Sequence, residues 1–175
     1  HRDGSISSFG KGDEGQLGHG NTANQLLPKF VSGIPPVSSC GNPKSTWLSQ
    51  FSLCVLQSGE VWSFGSGVRS NGAHGLGKTQ VLSPQKVPSL ASVHRCHVGT
   101  EHTLCVKKDG TVEGFGRSAN YRFGTNEGTV FLSPRFVPLP QGKRVLSCSA
   151  STWYSICVLD DGGEQKESVA CRAVL

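Results

Sequence analysis

Apolar residues along this chain fall in short bursts separated by glycine-bearing turns. Ser5-Ile6-Ser7-Ser8-Phe9 alternates polar and apolar side chains, as a half-buried strand does. Pro28-Lys29-Phe30-Val31 reads as a short extended segment, Pro36 to Cys40 as a third strand and Phe51 to Leu56 as a fourth. The same order then returns. Glu60 to Phe64, Gln85 to Val87, Val93 to Val98 and His102 to Val106 form a second set of four. Thr111 to Phe115, Arg135 to Val137, Arg144 to Ser149 and Tyr154 to Leu159 form a third. After Asp161-Gly162 the pattern lapses into a polar stretch, and Val169 to Leu175 has the composition of one last strand.

The three sets are copies of one unit. A turn precedes each opening strand at Asp3-Gly4, Ser58-Gly59 and Asp109-Gly110, and Asp161-Gly162 would open a fourth; these glycines are 55, 51 and 52 residues apart. Each opening strand ends in Phe-Gly, at Phe9-Gly10, Phe64-Gly65 and Phe115-Gly116. The next proline comes 18, 19 and 18 residues after that glycine. An apolar triplet closes each unit: Leu53-Cys54-Val55, Leu104-Cys105-Val106 and Ile156-Cys157-Val158. The first unit carries five extra residues between its third and fourth strands, near Trp47. Four short strands in about 50 residues is the spacing of a β-propeller blade.

Composition agrees with an all-β chain. In 175 residues there are 23 glycines and 9 prolines, and 35% of residues are apolar, a modest core. No apolar run approaches the ~18 residues that span a bilayer, so no membrane partner is expected. A chain that opens at His1 and lacks methionine reads as a sub-region of a longer protein. The net charge of +5 allows a nucleic-acid or chromatin role, but the cations are scattered and the longest basic runs are Lys107-Lys108 and Lys143-Arg144. Of the seven cysteines, Cys40, Cys96 and Cys148 share one repeat position and Cys54, Cys105 and Cys157 another. Flanked by apolar residues, they are expected to be small buried hydrophobes with reduced thiols, in a cytoplasmic or nuclear protein.

The units resemble repeats of the regulator of chromosome condensation family. That family ends a strand in Trp/Phe-Gly and continues into a Gly-Gln-Leu-Gly-x-Gly loop. Gly15-Gln16-Leu17-Gly18-His19-Gly20 matches the loop in full, whereas His74-Gly75-Leu76-Gly77 and Tyr121-Arg122-Phe123-Gly124 match in part. The Gly-x-x-His-Ser/Thr step before the last strand is present as Gly99 to Thr103, with Phe51 and Tyr154 in place of histidine elsewhere. The resemblance implies an all-β partial β-propeller of three four-stranded blades from a presumed seven-bladed ring. The blades would span 3–57, 58–108 and 109–160, with 161–175 as a tail or the start of a further strand. Three blades cannot close, so further blades or a partner are expected to complete the ring.

Other motifs are weaker. Gly10-Lys11-Gly12-Asp13-Glu14-Gly15 fits a dinucleotide fingerprint, yet Gln16 to Asn21 is too glycine-rich for the helix that a pyrophosphate needs. His94, Cys96, His97 and His102 are the only plausible metal cluster, and adjacent strand residues point to opposite faces. No cofactor, metal or catalytic group is therefore expected, and an enzymatic role for the host protein is left open. The expected function is protein–protein interaction within a larger multidomain protein, as in ubiquitin ligases that recruit substrates through similar repeats. Guanine-nucleotide exchange on a small GTPase and chromatin binding are the alternatives the resemblance supplies. The candidate partner-binding residues come after each Phe-Gly: Lys11, Asp13 and Glu14, then Arg69 and Asn71, then Arg117, Asn120 and Tyr121.

Overall fold

The computed structural model describes residues 1–43, 50–68, 70–77, 79–125, 128–141 and 143–160. Twelve strands succeed one another: β1 Ser7–Gly10, β2 Gln25–Phe30, β3 Val37–Gly41, β4 Gln50–Leu56, β5 Val61–Ser66, β6 Gln80–Lys86, β7 Val93–Val98, β8 His102–Lys107, β9 Val112–Arg117, β10 Val130–Phe136, β11 Arg144–Ala150 and β12 Ser155–Asp160. None of the described residues is helical, including those after Gly15. All pairings are antiparallel. Two sheets are complete, β3-β4-β5-β6 and β7-β8-β9-β10, and two have two strands, β1-β2 and β11-β12. The chain is all-β and forms part of a propeller.

The sheets are out of phase with the sequence units. Each complete sheet takes its first two strands from one unit and its last two from the next, so the sheet borders fall in the loops 31–36, 87–92 and 137–143. The turns Ser58-Gly59 and Asp109-Gly110, expected to separate blades, are instead hairpins inside them. Their geometry explains the recurring residues: Gly59 and Gly110 hold φ of +85° and +83°, and Asp109 accepts hydrogen bonds from the Thr111 N–H and hydroxyl. Links as short as these, residues 57–60 and 108–111, join antiparallel neighbours within one sheet.

Packing explains the apolar triplets. On β4, Phe51, Leu53 and Val55 face the next sheet, with Val93, Val98 and Phe115, while Cys54 and Leu56 face the previous one with Phe64. On β8, Leu104 and Val106 meet Val145 and Cys148 of the next sheet along. A strand buried on both faces reads as an unbroken apolar run. The two half-sheets lack a neighbour on their outer sides among the described residues, which leaves Leu26, Leu27 and Phe30 exposed on β2, and Leu146 and Ile156 on β11 and β12. Such faces cost about 1.5–3 kcal/mol for each large side chain left in water.

The paired cysteines depart from the expectation of free thiols. Cys40–Cys54, Cys96–Cys105 and Cys148–Cys157 are disulfides, each joining residues that stand directly opposite on neighbouring strands. The two sets of equivalent positions hold, but equivalence says nothing of whether the sets face each other. Register decides that, and it puts both sulfurs on one side of the ladder. The reduced state is what a cytoplasmic or nuclear setting leads one to expect, and it is the thiol expectation that the pairing corrects.

Successive sheets are tied by two hydrogen bonds that recur in every repeat. At one end the Ser52, Thr103 and Ser155 hydroxyls donate to the Gln16, Ala73 and Arg122 carbonyls of the preceding sheet's loop, at 2.8, 2.7 and 2.8 Å. At the other the Val37, Val93 and Val145 N–H groups donate to the Gly4, Gly59 and Gly110 carbonyls, at 2.8, 2.9 and 2.9 Å. Thr103→Val keeps the shape of a fully buried side chain but orphans the Ala73 carbonyl. It is expected to lower stability by about 1–3 kcal/mol, whereas Thr22→Val in an exposed loop stays within about 0.5 kcal/mol. Denaturant titration reads both.

Candidate interaction surface

The hydroxyl-to-carbonyl ties fix the true register of the long loops. Gln16, Ala73 and Arg122 are equivalent, so Gly15-Gln16-Leu17-Gly18 aligns with Gly72-Ala73-His74-Gly75 and with Tyr121-Arg122-Phe123-Gly124. A shared turn bond confirms it: Gly18, Gly75 and Gly124 donate to the Gly15, Gly72 and Tyr121 carbonyls. The second loop thus carries two extra residues between its Phe-Gly and the match, which begins at Gly72 rather than His74. Leu17, His74 and Phe123 plug the same inter-sheet space and are buried.

That register exposes an exchange of partners. Phe51 meets His74 edge-on at 6.1 Å between centroids, and His102 meets Phe123 edge-on at 5.7 Å. The histidine and phenylalanine have traded places between one junction and the next. The Ser155 hydroxyl donates to the Arg122 carbonyl, so His102 donates through Nε2 to the Ser155 oxygen at 2.9 Å. Nδ1 is then the unprotonated nitrogen and has no partner among the described residues. Both rings are fully buried, and that burial lowers each pKa to about 4.

Glu101 organises the same end of the sheets. It sits between β7 and β8 and is 6% exposed. Arg117, at the end of β9, donates Nη1 to both carboxylate oxygens at 3.2 and 3.1 Å, and Arg122 donates Nη2 at 3.3 Å. Asn71, from the preceding sheet, donates Nδ2 at 2.8 Å. Arg122 is wholly enclosed: its Nε donates to the Thr152 carbonyl of the succeeding sheet, Nη1 to the Ala119 carbonyl, and its guanidinium lies 5.2 Å from the Trp153 ring centre. Burial lowers the Arg122 pKa, and the Glu101 charge opposes the shift. One carboxylate thereby links three consecutive sheets.

Of the candidate residues, Asn71 and Arg117 come together on this carboxylate. Lys11 and Asp13 are exposed and pair with each other at 2.8 Å, which holds the Asp13 carboxyl below its usual range. Glu14 reaches across to Gln80 of the next sheet at 3.4 Å. Asn120 and Tyr121 are exposed and both have positive φ, +62° and +59°. Gly15 and Gly72 occupy the Tyr121 position, where a Cβ would come within 2.7 Å of Leu82 and 2.9 Å of Leu132. Tyr121 fits because no strand lies against it among the described residues. Arg69 and Trp47 lie outside the described residues. All three long loops stand at the end marked by the hydroxyl ties. Cys96, bonded to Cys105, leaves the metal-ligand set.

Sequence reasoning passed over Glu101, Arg122 and Trp153. The available signal was a charged residue, Glu101, at a repeat position held elsewhere by Gln50 and Trp153, and an arginine next to a loop aromatic.

Comparison with known proteins gives the same picture. The sequence model for the "Regulator of chromosome condensation (RCC1) repeat" matches residues 3–42. The chain is 26% identical over 165 residues to the human E3 ubiquitin-protein ligase HERC2, covering 91% of this chain and 3% of that protein. It is 27% identical over 163 residues to the Ultraviolet-B receptor UVR8 of Arabidopsis thaliana, covering 90% of this chain and 36% of that protein. Its fold is similar to the crystal structure of Prp20p from Saccharomyces cerevisiae, with a TM-score of 0.72 at 17% identity over 87% of this chain and 39% of that one. The chain thus spans a minor part of each.

The two buried histidines predict a pH dependence with a definite sign. Between their ordinary value of 6.5 and about 4, the unfolded chain binds protons that the folded chain refuses. Stability is therefore full above that window and falls as pH drops through it, by up to about 1.4 kcal/mol per pH unit for each histidine. His74→Phe, with the side chain that Phe123 places in the equivalent space, removes about half of that histidine-dependent slope. Urea midpoints of both proteins across the window measure it.

Proposed function

From a chain built of regulator of chromosome condensation repeats, we propose a recognition module of a larger protein that binds a protein partner through the long loops at one end of its sheets. The observation that carries this is the repeated tie of each loop to the next sheet, reinforced by the Glu101 cluster. Loops held this way present side chains without a fresh entropy cost at each encounter. Lys11, Asp13 and Asn120 are exposed there, and Arg117 is 39% exposed. Recruitment of substrates within a ubiquitin ligase is one form of this role, by analogy with HERC2. Exchange on a small GTPase and chromatin binding are the others, since Prp20p is described with binding properties toward Gsp1p and histones.

A photo-crosslinking residue at position 120 is expected to trap a partner that the same group at Lys29, on β2, does not. With that partner purified, the combined change of Lys11 and Asp13 to alanine and Asn120 to glycine, which keeps the positive φ of that position, is expected to weaken binding about tenfold or more, with the unfolding midpoint unchanged. Equal trapping from both positions refutes the assignment. Acceleration of nucleotide release from a small GTPase identifies the exchange form, and a steep salt dependence of nucleosome binding identifies the chromatin form.

A further inference from the structure

The opposite end of the sheets, where the hairpin turns lie, has a chemistry of its own. Two clefts open there side by side, one at each of two successive inter-sheet junctions. The first, with a volume of about 270 Å³, lies between β3-β4 and β7 and has Leu56 and Val93 on its walls. The second, of about 390 Å³, lies between β7-β8 and β11, with Val106, Val145 and Leu146. They are the same groove repeated, and His94 and Lys108 form the shared partition.

Cations stand along this pair. Arg95 lines the first cleft, Lys108 both, and Arg144 the second. All three are exposed, and neither Arg95 nor Lys108 forms an ion pair with a carboxylate among the described residues. Arg144 gives only its Nε to a backbone carbonyl, that of Asp109, at 2.9 Å. Lys107, by contrast, is committed to Glu113 at 2.9 Å. Asp160, directly opposite Arg144 on β12, is the one acidic side chain on the walls of either among the described residues.

We propose that these adjoining clefts are a second docking surface, taking an acidic peptide segment of a protein partner. Carboxylates of the segment meet Arg95, Lys108 and Arg144, which stand along the two clefts. The composition of the walls favours a peptide over a nucleic acid. Three cations are few for a ladder of phosphates. No phenylalanine, tyrosine or tryptophan among the described residues lines either cleft to stack a base. The surface lies at the other end of the sheets from the long loops, so each reading stands or falls alone.

The test uses the full chain and a synthetic peptide of alternating glutamate and leucine, with a lysine–leucine peptide and a duplex DNA oligonucleotide as competitors for the assignment. The glutamate peptide is expected to bind saturably and the lysine peptide not to bind. Lys108→Glu is expected to weaken binding about tenfold, while Lys29→Glu, a matched charge change on exposed β2 outside both clefts, leaves it unaltered. Unchanged thermal unfolding of both variants excludes a folding defect. No saturable binding, or equal losses from the two variants, overturns the proposal. Duplex DNA that binds more tightly and is released by Lys108→Glu overturns it in favour of phosphate.

Discussion

The constraint on which the structure depends is that a central strand here has two buried faces. A sheet with one wet face can stand on a single core; these sheets cannot, because Leu53 and Val55 face one neighbour while Cys54 and Leu56 face the other. Each sheet is therefore the second half of one core and the first half of the next. Burial alone sets no register between faces, since apolar surface attracts without direction. The recurring ties at both ends supply it. A side-chain hydroxyl and a valine N–H each satisfy a backbone carbonyl of the preceding sheet, at 2.7–2.9 Å in every repeat. Leaving such a buried carbonyl unpaired costs more than the bond itself contributes, so these contacts specify the stacking as much as they stabilise it.

The phase shift between sequence unit and sheet answers the same need. If each unit folded as one sheet, only side-chain packing would hold neighbours together. Because a unit ends two strands into the next sheet, each complete sheet is shared between two units. Separating sheets at any point then breaks a core, two backbone ties and the continuity of a repeat together. The histidine–phenylalanine exchange between successive junctions shows how locally the packing is maintained. Phe51 with His74 and His102 with Phe123 fill one kind of space with the same two rings in opposite order.

Much of this is legible in the chain. Nine of the twelve strands are foreshadowed by alternation and by the Phe-Gly and apolar-triplet landmarks, and β7 agrees to the residue, whereas of β2, β6 and β10 only the last two or three residues, at or after the proline, are. The features that escape a linear reading depend on facts that a linear pattern does not hold. Strand phase needs to know which turn is a hairpin, and Ser58-Gly59 as a boundary looks the same as Ser58-Gly59 as a hairpin. Cysteine pairing needs cross-strand register. The visible Gly-Leu-Gly of the second loop suggests one alignment, and only the Thr103 to Ala73 bond shows that two inserted residues displace the true match to Gly72. Glu101 stays hidden because its importance lies in what three distant segments bring to it.

That carboxylate also shows why the two ends of the sheets differ in kind. At the loop end, charge is turned inward: Glu101 and Arg122 are buried, Arg122 has a partner for each of its three nitrogens, and the network is consumed in holding sheets in place. A buried pair of this sort adds little net stability over apolar packing but penalises any arrangement that separates it. Its effect is on position, and side chains outside it, such as Asn120, inherit that position. At the turn end Arg95 and Lys108 are exposed and form no ion pair with a carboxylate among the described residues, while the backbone ties beneath them carry the structure. Charges free of structural duty can be lost without unfolding the chain, so their clustering over two adjacent clefts asks for an explanation in what they meet rather than in what they hold.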